Sequence, residues 1–363
     1  MKKLTDLCDI LYGYAFDSKC FTEDSSFPQL VRIRDIKRGF SETYYSGEYP
    51  AEYVLTSGDL LIGMDGEFNI ARWKVDGALL NQRICKIVAK EGTNEEYIRF
   101  FLSKYLKKIE EKTSFATVKH LSAKEINRIE IIIPELSKQK TIANSLSKLE
   151  KNIELRKKEL QLLDNLIKAR FVEMFGDPKL NNKEWNSGIV SEYYEVKGGK
   201  RIPKGMGYSD KITQHPYLRA TDMKNETIID DDIHYIVDEV YEHIKRYTVK
   251  GGDIYLTNVG VNLGMAGVIP KKYDGANLTE NAVKLVPKKE NVLASVFMAH
   301  YINSPGIQDY INERKMSVGV PKLAIFRIET MPILLPPLEL QEQFTEFVRT
   351  TDKLKYVTTK SAV

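Results

Sequence analysis

The chain has 363 residues, more than one ordinary domain of about 150 residues accommodates. Apolar residues at 42% and charged residues at 29% describe a globular chain able to bury sizeable cores. The 54 basic and 50 acidic side chains leave a net charge of only +4, which excludes a highly basic nucleic-acid coat and an acidic disordered tail but leaves a sequence-specific DNA reader open. Cys8, Cys20 and Cys85 form no CxxC pair, which argues against a disulfide framework and a structural zinc site. Asp6 and Asp9 interrupt any signal peptide beginning at Met1-Lys2-Lys3, and the longest aliphatic run, Ile131 to Ile133, is far short of a membrane span. A soluble, cytoplasmic, multi-domain protein with no membrane partner is expected.

Taken in chain order, the elements of the first third return in the last. Val31-Arg32-Ile33-Arg34-Asp35-Ile36-Lys37 recurs as Leu218-Arg219-Ala220-Thr221-Asp222-Met223-Lys224. Ser57-Gly58-Asp59-Leu60-Leu61-Ile62 recurs as Gly251-Gly252-Asp253-Ile254-Tyr255-Leu256, and Gly66 then meets Gly260. Residues 78–88 match 276–286, and Leu121, Ile126, Ile131, Ile133, Pro134 and Leu136 match Leu323, Ile328, Ile333, Leu335, Pro336 and Leu338. The order is preserved and the separation only widens, as it would if the second copy carried small surface insertions. Alternation at Val31, Ile33 and Asp35 predicts a half-buried strand, and Gly-Asp turns lead into apolar strands at 60–62 and 254–256. Residues 97–109 and 296–311 are predicted helices near the end of each copy.

Between the copies, residues 137–174 contain no Gly or Pro and follow a heptad. One seam position holds Leu146, Ile153, Leu160, Ile167 and Met174; the other holds Ile142, Leu149, Arg156, Leu163 and Arg170. Pro134 precedes this helix and Gly176-Asp177-Pro178 stops it. After the second copy, Leu340, Phe344, Phe347, Thr351 and Leu354 begin the same spacing in a shorter helix. The expected fold is α+β: two related strand-rich lobes, 1–135 and 177–336, joined and spaced by an antiparallel coiled coil of helices 136–176 and 337–363. Such an arrangement has approximate two-fold (pseudo-two-fold) symmetry. A plain helical linker or a homodimerisation zipper would produce the same heptad.

The whole chain resembles the DNA-specificity subunits of type I restriction–modification systems. The resemblance rests on Ile133, Pro134, Leu136 and Gln139 before the long helix, Phe175-Gly176-Asp177-Pro178 at its end, and Leu335-Pro336-Pro337-Leu338 with Gln341 before the last helix. It departs from the family in the shortness of the C-terminal helix. It implies that the lobes are target-recognition domains, each reading one half of a bipartite, asymmetric site on double-stranded DNA. The coiled coil would set the unread spacer and dock two methyltransferase subunits, which a restriction (endonuclease and translocase) subunit can join. S-adenosylmethionine, ATP and Mg would belong to those partners, and this chain itself would hold no cofactor or metal.

Base readout calls for Arg or Lys against guanine and Asn or Gln against adenine, with further basic groups on phosphates. In the first lobe the candidates are Arg32, Arg34, Lys37, Arg38, Arg72, Asn81, Gln82, Arg83, Lys119 and His120. In the second they are Arg219, Thr221, Lys224, Asn258, Thr279, Asn281 and Lys322. Exposed polar residues are more often merely solvated, so these are expectations about clusters more than about single side chains.

Catalytic signatures do not emerge. Pro336-Pro337 is followed by Leu338, not by an aromatic, and neither a GxGxxG turn nor a GxxxxGK[ST] loop occurs. The five histidines show no zinc spacing, and Asp230-Asp231-Asp232 lacks the rest of a calcium loop. A non-catalytic recognition subunit of a DNA adenine methyltransferase/endonuclease complex is expected. The rivals are a bivalent coiled-coil scaffold whose lobes bind proteins, and a metal-dependent nuclease.

Overall fold

The computed structural model describes residues 1–112, 120–289, 292–317 and 319–360. The chain forms two compact units, Met1–Glu154 and Leu155–Val363, whose boundary falls inside a single helix. Each unit is built on its own four-stranded sheet, with the same strand order in both.

In the first unit, β1 (Cys8–Tyr12), β2 (Leu60–Gly63), β3 (Ile70–Arg72) and β4 (Ile84–Ala89) pair antiparallel in the order β1-β4-β2-β3. The unbroken apolar run Leu60-Leu61-Ile62 arises because β2 is buried on both faces. Leu60 and Ile62 join the core beneath helix α1 (Glu95–Lys112), to which Ile98, Leu102 and Leu106 contribute at successive helical turns. Leu61 enters a separate core with Val31, Ile36 and Trp73. Helix α2 (Leu136–Phe175) follows, 40 residues long and thus about 60 Å at 1.5 Å per residue.

The second unit repeats this plan. Strands β5 (Tyr194–Gly198), β6 (Ile254–Thr257), β7 (Ala266–Val268) and β8 (Ala282–Pro287) pair antiparallel in the order β5-β8-β6-β7. Ile254 and Leu256 enter one core and Tyr255 another, as in β2. Where sequence periodicity predicts one helix, two are found: α3 (Ser295–Ile302) and α4 (Pro305–Arg314). Pro305 cannot donate its backbone nitrogen to a continuing helix and instead opens a new one. Helix α5 (Leu338–Lys360) ends the described chain.

Each unit anchors a long helix to its lobe through one buried glutamine. Gln139 is 1% exposed. Its Nε2 donates to the carbonyls of Pro134 (2.8 Å) and Gly92 (3.3 Å), and its Oε1 accepts the N–H of Asn94 (2.8 Å), the residue before α1. Gln341 repeats the pattern: Nε2 donates to Pro336 (2.8 Å) and Val292 (3.2 Å), and Oε1 accepts the N–H of Ala294 (2.8 Å), the residue before α3. The amide therefore satisfies a helix-start N–H and two carbonyls that folding removes from water.

Within the second unit, α5 runs antiparallel to the last turns of α2. Phe344 contacts Phe171 and Phe175 with ring centroids 5.5 Å apart in each case, while the later Lys355 pairs with the earlier Asp164 at 2.7 Å. Two features differ from the heptad expectation. The buried face of α5 is Gln341, Phe344, Thr345, Val348, Thr351 and Thr358, a 3.6-residue stripe that faces the core of its own unit. Phe347 is therefore half-buried, under the guanidinium of Arg170, and Leu354 is exposed. On α2, Ile167 is buried, Ile142, Leu146, Leu160 and Leu163 are half-buried, and Leu149 and Ile153 stand exposed.

The segment after Val31 is a tight turn, Ile33–Asp35, and not a strand. The buried carboxylate of Asp35 accepts the Arg32 N–H (3.2 Å), the Ser41 hydroxyl (2.8 Å) and the Arg38 guanidinium, which bends the backbone. Asp222 does the same, accepting the Arg219 N–H at 2.8 Å and its Nη2 at 2.7 Å. Alternation was misleading here because Val31 and Ile36 are buried across a turn, not along an extended run.

Gln139→Leu and Gln341→Leu each leave three backbone groups without partners. Each is expected to lower unfolding free energy by about 2–4 kcal/mol, seen as a lower urea midpoint; a loss under about 0.5 kcal/mol would show that the amide is not the anchor. Burial, and then the Lys355 charge, push the His300 imidazole down to about 4 from 6.5. The neutral form is favoured in the folded unit, so this contribution to stability is complete above pH 6.5 and lost as pH falls toward 4. His300→Phe, which repeats the choice of Phe100 at the equivalent place in α1, should flatten the melting temperature across that interval.

Candidate nucleic-acid interface

At one end of the sheet in each lobe, loops far apart in sequence are tied together by backbone hydrogen bonds. In the first lobe the Met64 N–H donates to the Arg83 carbonyl (2.8 Å), and the Leu121 N–H donates to the Met64 carbonyl (2.7 Å). Asp65 and His120 then lie opposite one another as a bridge. In the second lobe the Asn258 N–H donates to the Asn281 carbonyl (3.0 Å), the Leu323 N–H donates to the Asn258 carbonyl (2.8 Å), and Val259 lies opposite Lys322. Gly66 and Gly260 follow at φ +68° and +102°, left-handed values that turn each loop back and favour glycine.

A fourth segment closes the corner. Gly13 donates its N–H to Ile84 (2.8 Å) and Gly199 to Ala282 (3.1 Å). A Cβ at either glycine would lie 2.0 Å from a carbonyl oxygen, that of Asn81 or Thr279. No side chain fits there. Neither glycine stands out in sequence, although aligning Tyr12-Gly13-Tyr14 with Gly198-Gly199-Lys200 would have found both.

Several expected readers gather at these corners. Arg83 Nη1 donates to Asp65 Oδ1 (3.1 Å) and Oδ2 (3.0 Å), and Arg83 itself adopts φ +67°. The Nδ1–H of His120 donates to Asp65 Oδ1 at 2.5 Å, so the 3.1 Å approach of Arg83 Nη1 to that same nitrogen is a packing contact. Nothing in the sequence around Asp65 signals this partnership. In the second lobe Asn258, Asn281 and Lys322 line one cleft with Arg201 and Glu280, which pair at 2.6 Å. Burial raises and the Arg201 guanidinium lowers the Glu280 carboxyl, with a net shift below the usual range.

The candidates differ in burial and in partners. Asn81, Thr279 and Asn258 are themselves buried, and the Asn81 side chain accepts the Gln82 N–H (2.9 Å), which leaves Gln82 exposed beside Arg83. Arg32 is half-buried against the Phe21 ring, Arg34 is exposed, and Lys37 pairs with Glu67 at 2.8 Å. Arg38 is engaged by Asp35 and Glu42. Arg219 is locked by Asp222 and Asp232, and the Asp222 hydrogen bond above all holds its guanidinium pKa above the ordinary value. Thr221, Lys224 and Lys322 are exposed. Lys119 lies outside the described residues.

Arg72 is tied into its own lobe. Its Nη1 donates to Glu95 (2.9 Å) and to the Gly58 carbonyl (2.5 Å), and its Nε donates to Glu96 (2.5 Å), which fixes β3 to the first turn of α1. The acidic partners sit on another element, so local sequence gave no sign of them. Among the described residues, no cluster of His, Cys, Asp and Glu could hold a metal ion, and no helix is long and apolar enough to cross a membrane.

Comparison with known proteins agrees with this doubled plan. The family model for the type I restriction modification DNA specificity domain matches residues 1–165 and again 182–362. The type I restriction enzyme EcoBI specificity subunit of Escherichia coli is 27% identical, over 97% of this chain and 78% of that protein. The MjaIX specificity subunit of Methanocaldococcus jannaschii is 23% identical, over 74% and 65% respectively. The crystal structure of a type I S subunit from M. genitalium superposes with a TM-score of 0.60 at 14% identity, covering 99% of this chain and 91% of that one. A chain from work on assembly and conformational transition of the type I R-M system gives 0.55 at 15% identity, covering 99% and 93%. These two likenesses concern the fold alone.

Arg72→Met is expected to destabilise the first lobe by about 1 kcal/mol, because the pair is partly solvated. Preference among DNA duplexes should not move; a changed base preference would overturn the structural assignment.

Proposed function

Because this chain belongs to the family of type I restriction modification DNA specificity domains, we propose that its two target-recognition domains each read one half of a bipartite, asymmetric DNA site. The lobes are assigned to 1–135 and 177–336, and the spacing helices to 136–176 and 337–363. One observation carries the reading: the two lobes repeat the same strand order and several of the same backbone hydrogen bonds at the corner, while presenting different side chains there. A shared frame with different reading groups suits two unlike half-sites, whereas a symmetric dimer would select a palindrome. Joining two weak readers at a fixed separation also raises affinity through effective concentration, provided the spacing is right.

The helices are the natural docking surface for methyltransferase subunits. Leu149, Ile153, Leu155, Leu162 and Leu166 are exposed along α2, more apolar side chains than a solvated helix needs. On this reading the chain chooses the sequence and carries no catalytic step. Adenine methylation with S-adenosylmethionine, and ATP- and Mg-dependent cleavage where a restriction subunit joins, belong to its partners.

Methylome sequencing of cells with and without the gene tests the assignment. Adenine methylation at a two-part motif should disappear on deletion and return on complementation. An unchanged methylome would instead favour a protein-binding scaffold.

A further inference from the structure

DNA specificity alone does not say which side chains choose the bases. Resting on that reading, we infer that positions 65, 83 and 120 of the first lobe, and 259, 281 and 322 of the second, are one base-reading set used twice. Arg83 selects a guanine in one half-site and Asn281 an adenine in the other.

The equivalence is fixed by backbone bonds and not by residue similarity. Met64 and Asn258 each donate to the residue at the second position of the set, and each accepts from the residue that follows the third. Asp65 and Val259 come next in their loops and face His120 and Lys322. On this common frame the side chains are Asp, Arg and His in one lobe, and Val, Asn and Lys in the other. None of the three pairs is a conservative exchange. Where the fold needs a particular backbone turn or carboxylate, the two lobes keep the same residue, as at Gly13 and Gly199, Gly66 and Gly260, and Asp35 and Asp222.

Arg83 is also held in a costly conformation. Its φ of +67° suits Gly or Asn far better than a long side chain. Asp65 grips Nη1 with both oxygens, and among the described residues the Nε–Nη2 edge has no partner. That edge is a planar pair of donors with the geometry that guanine O6 and N7 accept. The side chain is 52% exposed and so accessible, while its direction is fixed by a carboxylate only 22% exposed. Asn281 carries the amide that pairs with adenine N6 and N7, and Lys322 beside it adds a mobile positive charge.

The test uses the full chain assembled with its methyltransferase partner, assayed for methylation of a randomised duplex library. Arg83→Asn keeps a residue that tolerates the left-handed backbone. It should cut methylation of the original site about 10- to 100-fold and relax one guanine in one half-site, with the other half unchanged. Asn281→Arg should alter one adenine in the opposite half alone. Active variants with both half-sites unaltered would overturn the inference. Failure of both variants to assemble would overturn it too, since it requires these positions to be replaceable. If the unmodified complex shows no two-part preference at all, it is the DNA-specificity reading that falls.

Discussion

A single side-chain amide, buried where each long helix leaves its lobe, links three stretches of chain. Gln139 and Gln341 each take up one N–H at the start of a lobe helix and give their own two protons to carbonyls. An isolated buried amide would cost several kcal/mol, and only this set of partners makes the position tenable. The consequence is geometric. The direction of a 40-residue helix is set within its first turn by bonds to the lobe, so a small change there would be magnified along its length.

Charge behaves differently from what composition alone would imply for a DNA-binding protein. Arg38, Arg72, Arg99 and Arg219 are consumed by carboxylates of their own lobes. The modest positive excess sits on residues 137–174, in the helix between the lobes. Long-range attraction to phosphates is accordingly weak in the lobes themselves, and discrimination must come from a few directed donors. Neutral, heavily paired lobes fit a subunit whose backbone affinity is shared with other chains.

Much of the architecture was legible in the sequence, for reasons particular residues make clear. The long helix shows itself because nothing between Ser137 and Met174 can break it and its apolar residues recur regularly. The repeat is visible because turns such as Ser57-Gly58-Asp59 are local, and local requirements leave local marks. What could not be read is what depends on partners distant in sequence. Val31, Ile33 and Asp35 alternate like a strand, yet a buried carboxylate folds them into a turn. Arg72 looks like a free cation until Glu95 and Glu96 arrive from α1. Leu354 follows the heptad, but the helix turns its 3.6-residue face to its own core and leaves that leucine in solvent. At the corner, Arg83 and His120 are recognisable by residue type, whereas Asp65 gains its partners only where three loops meet.

The corner that carries those loops is bonded through main-chain atoms, which every amino acid except proline supplies alike. Natural selection can therefore rewrite the exposed side chains one at a time without dismantling their support. Two gene segments that began as copies would drift apart at the tips while their frames stayed superposable. A frame of this kind lets the side chains presented at the corner change while the way the corner is held stays the same.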